Sequence, residues 1–276
     1  MASHEGYEEL DRRLSWWKDR LGGLTSLQLP TDFPRPFPFK MVEGSETLDL
    51  SDETCLSILQ LTLTLSKKLQ KTVAPFTLIL SAFSFLLHRY TFEQDIVVGS
   101  SSTSLNPLVL RLSVNEEDTF NDLVAHVKQT EEEAEKMEVP YDKLYSRLRP
   151  TVKEEELYGP LFKVRFFNLV DVSPETLEAE NCDWTVFVQQ IPDARRLLPI
   201  RIQVAYNNVL YSGERMKEML SQIGHILSAV VERPDTVISE LSLVTPKAQA
   251  VLPDPTVVLS DRWEGAIFDV FTRNAL

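Results

Sequence analysis

Apolar residues recur every three or four positions at Leu10, Leu14, Trp17 and Leu21, which predicts an amphipathic helix over 7–21 closed by Gly22-Gly23. The segment 29–38 holds four prolines and reads as an extended arm, since proline fixes φ and donates no N–H. Residues 46–50 predict a short strand. Ser51 predicts an N-cap for a helix over 52–70, with Cys55, Leu59, Leu63 and Leu65 as its apolar stripe. Thr72 is the expected cap of a second helix, 75–90, with Pro75 in its first turn. This helix is apolar on nearly every side and therefore central. Residues 95–99 and 107–114 read as strands, and Thr119 caps a helix with Leu123, Val127 and Thr130 on one face. Pro140 starts a short helix to Leu148, and 151–159 is a charged loop. Phe162, Val164 and Phe166 alternate against Lys163 and Arg165 in a strand over 162–170. Further strands are expected over 183–190 and 199–206. Ser212 caps a helix over 213–232, whose stripe Met216, Met219, Leu220, Ile223, Leu227 and Val230 is the clearest in the chain. Residues 245–262 read as a linker, and Trp263–Ala275 as a last helical piece.

These elements predict an α/β protein with a mixed sheet of about five or six strands and helices mainly on one side. Its 276 residues are 43% hydrophobic, enough for a real core. The net charge of −13 argues against a surface built for nucleic acid or an anionic membrane, both of which need clustered Lys and Arg. The longest apolar run, 73–87, is shorter than the ~20 residues of a membrane span. Cys55 and Cys182 make neither a disulfide framework nor a zinc site. No signal peptide is visible, and the expected location is cytoplasmic. Nine glycines are few for a phosphate-cradling enzyme.

Candidate chemistry is sparse. His88 could be a general base, but a histidine closing a buried helix also complements its dipole. His126 falls on the solvated side of its helix, His225 lies beside a stripe position, and His4 is near the terminus. None has a second His four residues on. Ser15-Trp-Trp-Lys18 matches S-x-x-K without its companion motifs, and Trp16 and Trp17 read as anchors of the first helix. No residue is assigned as catalytic, cofactor-binding or metal-ligating. Residues 116–157, including Glu131–Glu135 and Glu154–Glu156, carry 13 acidic against 6 basic side chains. They read as a solvated face or as a docking surface for a basic partner.

Taken in order, several segments resemble the second half of a nonribosomal-peptide condensation domain. They are Leu29-Pro-Thr-Asp-Phe-Pro-Arg-Pro36, the join from Phe76 through Leu86-Leu87-His88-Arg89-Tyr90 to Val97-Val98-Gly99, and Asn106-Pro-Leu-Val-Leu-Arg111. Val139-Pro-Tyr-Asp-Lys-Leu144, Pro160-Leu-Phe-Lys-Val164, Tyr211-Ser-Gly-Glu-Arg-Met216 and Ile238-Ser-Glu-Leu-Ser-Leu-Val-Thr-Pro246 follow. The resemblance implies one lobe, the C-terminal one, of the chloramphenicol acetyltransferase-like fold. It divides the chain into a helix and crossover arm (1–45), the lobe (46–246), and a linker with the start of an adenylation domain (247–276). Val251-Leu-Pro-Asp-Pro-Thr256 and Arg262–Ala275 narrow the likeness to the fungal L-2-aminoadipate reductase family.

That likeness implies ATP, phosphopantetheine and NADPH as cofactors of neighbouring domains, none within this segment. It implies adenylation and carrier domains of the same polypeptide as partners, in lysine biosynthesis. The family's catalytic HHxxxDG motif is missing, as no His-His pair and no Asp-Gly dipeptide occur. The expected role is therefore a non-catalytic platform. The alternatives are an acyltransferase-like enzyme, standing alone or as a homo-oligomer, and an interaction module using the acidic 116–157 surface. A homodimer through the face of the missing lobe is a further expectation.

Overall fold

The computed structural model describes residues 4–24, 27–38, 40–101, 107–148, 161–168, 182–190, 199–254, 256–257 and 265–275. The expected loop 151–159, residues 169–170 of the strand over 162–170, Glu154–Glu156, Asn106 and Trp263 lie outside them. The chain divides into two compact units, Met1–Leu243 and Val244–Leu276.

The first unit is built on one six-stranded sheet. Its strands are β1 (Glu43–Asp49), β2 (Asp95–Ser101), β3 (Pro107–Ser113), β4 (Val164–Asn168), β5 (Trp184–Gln190) and β6 (Ile200–Asn207), in the spatial order β1-β6-β5-β4-β2-β3. β4 runs parallel to both its neighbours, β2 and β5, and the other pairings are antiparallel. The helices are α1 (His4–Arg20), α2 (Asp52–Leu69), α3 (Pro75–Thr91), α4 (Phe120–Lys136), α5 (Tyr141–Leu148) and α6 (Gly213–Glu232). α3 packs between α4 and α6, with α2 against α3 and α6. The register places Phe166, Trp184, Val186, Val204 and Ile202 on the sheet face toward this layer, where Phe83 of α3 meets the rings of Phe166 and Trp184 at 5.3 and 6.4 Å. Every residue of α3 from Thr77 to His88 is buried, as its all-round apolar sequence requires.

The capping residues act as their chemistry dictates. Ser51, Thr119 and Ser212 each accept the N–H three residues on, and Thr119 with Asp122 forms a full capping box. Thr72 does not cap α3. The N-cap is Ala74, without a side-chain bond, and Pro75 occupies the first helical position, where the missing N–H has no intrahelical partner to lose.

Two burial expectations are corrected. The buried line of α2 is Cys55, Ile58, Thr62 and Leu65, while Leu63 is 63% exposed. At about 100° per residue Leu63 stands roughly a third of a turn off that line. β4 has no polar face: Arg165 and Phe167 are buried along with Val164 and Phe166. On the second face the Arg165 guanidinium donates to the Thr185 hydroxyl of β5 at 3.1 Å and lies over the Phe167 ring, which in turn meets Phe187, so these side chains bury one another and the alternation marks two environments rather than core and water. Gly99 on β2 is fixed by the same crowding, because a Cβ there would lie 2.5 Å from the Phe162 ring.

The second unit holds α7 (Pro246–Gln249), capped by Thr245, and α8 (Ile267–Ala275). A helical turn thus interrupts the expected linker, and the last helix begins four residues later than expected. Asp269 accepts the N–H of Ala266 at its start, and Ile267, Phe268 and Phe271 are exposed.

Candidate functional site

Three groups of buried polar side chains in the first unit join distant segments, besides smaller pairs such as Arg165 with Thr185 and Asn121 with Asp235. The largest fastens the proline-rich arm. The backbone N–H groups of Asp32 and Phe33 donate to the Leu210 carbonyl at 3.0 and 3.2 Å. The Asp32 carboxylate accepts from the N–H and hydroxyl of Ser212, both at 2.9 Å, adding an acidic group at the positive end of α6. Three residues on, the Arg35 guanidinium makes a two-point contact with Asp183, Nη1 to Oδ1 at 2.8 Å and Nη2 to Oδ2. Asp183 is 1% exposed at the head of β5, and the Tyr211 hydroxyl donates to its Oδ2 at 3.4 Å. Asn207, closing β6, donates to the Lys40 carbonyl and accepts from the Val42 N–H. The carboxylate beside Arg35 raises its pKa, and burial first, then Asp183, holds the Tyr211 hydroxyl above the usual phenol range.

The second group is the join between α3 and β2. His88 is buried at the end of α3, its Nδ1 donates to the Glu93 carbonyl at 2.9 Å, and its Nε2 lies 3.1 Å from Glu116 Oε1. Both ring nitrogens are thus committed, one to the turn after α3 and one to the loop after β3. His126 is exposed and accepts the Ser113 N–H through Nε2, and His225 is half-buried on α6.

Glu131 makes the third. The acidic run was expected to be solvated, yet Glu131 is 8% exposed and accepts from the Thr77 hydroxyl of α3 at 2.8 Å. Burial pushes its carboxyl up to about 7, against the pull of Thr77 and Lys128. The signal was available: Glu131 falls in line with Val124, Val127 and Ala134 on the core stripe of α4. Other carboxylates of 116–157 are engaged within the fold as well. Glu132 pairs with Lys71, Glu133 with Arg20, and Asp122 caps α4. Less of this surface is therefore open to a basic partner than its charge suggested.

Chemically, these groups hold chain segments together. Among the described residues no histidine ring is hydrogen-bonded to a Ser, Thr or Cys side chain, and no group of three His, Cys, Asp or Glu could hold a metal. Cys55 is buried and its thiol pushed upward, chiefly by desolvation. Ser15 and Lys18 lie on α1, whose Trp17 is buried and donates to the Met137 carbonyl. Among the described residues no helix is long and apolar enough to cross a membrane. The sequence reading missed Arg35, Asp183 and Tyr211 as a unit, because 148 residues separate the ion pair.

The family model described as a condensation domain matches residues 2–252. The L-2-aminoadipate reductase of Schizosaccharomyces pombe is 31% identical over 97% of this chain, which spans 20% of that protein. The L-2-aminoadipate reductase large subunit of Penicillium chrysogenum is 29% identical over 98% of the chain, which spans 18% of it. Among solved structures, the X-domain from teicoplanin biosynthesis superposes with a TM-score of 0.72 at 19% identity, over 84% of this chain and 57% of that one. The α/β fold with its mixed sheet is shared with that structure, and the match over most of the sequence shows that the chain belongs to the condensation domain family.

Proposed function

We propose that the chain is a non-catalytic, condensation-like platform of an L-2-aminoadipate reductase. The observation that carries this reading is His88. It is the one buried histidine among the described residues, and its two ring nitrogens are spent on the α3–β2 join. A general base needs a ring nitrogen within reach of the proton it takes. The likeness to two fungal aminoadipate reductases supports the parent activity: ATP-dependent activation of 2-aminoadipate, loading on phosphopantetheine, and NADPH-dependent release of the semialdehyde, in lysine biosynthesis. In this reading those cofactors belong to the adenylation, carrier and reductase domains, and the platform packs on the first two. Interfaces between domains of one chain bury about 600–1,500 Å².

The test compares the whole reductase with a form lacking residues 1–243. Adenylation is followed by pyrophosphate exchange, reduction by NADPH oxidation, and stability by thermal unfolding. Slower coupled turnover or a lower melting temperature is expected. Unchanged rates together with unchanged stability overturn the platform, and acyl transfer by the isolated chain that His88→Ala abolishes while the fold survives overturns the non-catalytic assignment.

A further inference from the structure

The helix α2 carries exposed leucines as well as buried ones. Besides its buried line, the helix carries a second one on its outer side: Glu53, Leu56, Gln60, Leu63 and Lys67, spaced 3, 4, 3 and 4. All five are exposed, Leu56 at 39% and Leu63 at 63%. This is the spacing of a two-helix seam, in which alternate steps of three and four residues keep one edge toward a partner helix. Solvent alone gives no reason for leucines at two of the inner positions.

The order of the residues identifies the partner. Glu53-Leu56-Gln60-Leu63-Lys67 is complementary to itself when reversed about Gln60. Antiparallel to an identical helix, Glu53 meets Lys67, Leu56 meets Leu63, and Gln60 meets Gln60, whose amide both donates and accepts. A parallel pairing sets Glu53 against Glu53 and Lys67 against Lys67, and like charges oppose it. A basic or acidic foreign helix satisfies one end of the line and repels the other. A two-fold axis is the arrangement in which one patch serves both partners. We propose that α2 is a self-association surface, through which two copies of the chain pair antiparallel about an axis at Gln60. This surface does not depend on the parent enzyme being a reductase.

From Glu53 to Lys67 the helix runs about 21 Å, so the contact is smaller than the ~800 Å² per partner of a standard interface. The pairing is accordingly weak and concentration-dependent. Sedimentation equilibrium of the 276-residue chain from ~10 μM to ~1 mM should show a monomer–dimer equilibrium. Leu63→Glu should weaken it at least tenfold, with circular dichroism confirming the fold. Glu53→Lys and Lys67→Glu should each weaken it severalfold, and the double reversal should restore it to within about twofold, since every end contact is again between opposite charges. Gln60→Cys should form a disulfide-linked dimer under mild oxidation, whereas Gln70→Cys should not. A monomer throughout the range, a dimer indifferent to Leu63→Glu, or a double reversal no better than the single ones would overturn the proposal.

Discussion

Replacing Glu131 with Gln should change the stability of the first unit by an amount that depends on pH, with the sign set by where the carboxyl sits. Burial lifts it from 4.5 to about 7, and the Thr77 hydroxyl and Lys128 only partly offset that, while Glu135 and Glu132 add repulsion. In the unfolded chain the group titrates near its ordinary value. Between pH 4.5 and 7 the native state therefore keeps a proton that the unfolded state has released. Stability falls as pH rises through this window, by about 1.4 kcal/mol per pH unit. The loss is complete above the native value and amounts to about 3 kcal/mol. Gln resembles the protonated acid: it keeps a carbonyl for Thr77, carries a donor in place of the acid proton, and cannot ionise. Glu131→Gln should be close to neutral at pH 4.5 and more stable than the parent by about 3 kcal/mol at pH 8. Urea unfolding of both proteins at half-unit steps from pH 4.5 to 8.5 gives the difference directly, since other titrating groups are common to both. A difference flat across pH, or a variant less stable at pH 8, would refute the reasoning.

The arm and the sheet offer two further tests. Arg35→Ala leaves the buried Asp183 carboxylate, among the described residues, with only the long Tyr211 contact, so it should cost about 3 kcal/mol, and adding Asp183→Asn should recover part of the loss in a double-mutant cycle. Equal and additive effects would show that the ion pair does not hold the arm. Gly99→Ala should cost about 1–3 kcal/mol, because the new methyl would lie 2.5 Å from the Phe162 ring, and Phe162→Leu should relieve it. A neutral Gly99→Ala in thermal unfolding would show that the ring moves freely.

The assignment to one family rests on the order of the segments and the match over residues 2–252. The structure adds what those segments are for. The Pro-rich arm, distinctive in sequence, is anchored at Asp32 and Arg35, and the Leu86-Leu87-His88-Arg89-Tyr90 join is locked by the His88 ring. His88, a candidate base when read in isolation, has both ring nitrogens engaged at this join.

By itself the sequence determined where α2, α4 and α6 begin, because Ser51, Thr119 and Ser212 each act within a single turn on an N–H three residues away. It also determined the wholly buried character of α3, whose residues are apolar on nearly every side. Signals of this kind are complete within a few residues. The tertiary structure alone decided the strand order, the burial of both faces of β4, the two lines of α2, the burial of Glu131 and the meeting of Arg35 with Asp183. Each of these depends on which distant segment covers a given face. A side chain's period fixes the direction in which it points, and only the packed neighbours fix whether water, a carboxylate or another helix lies there.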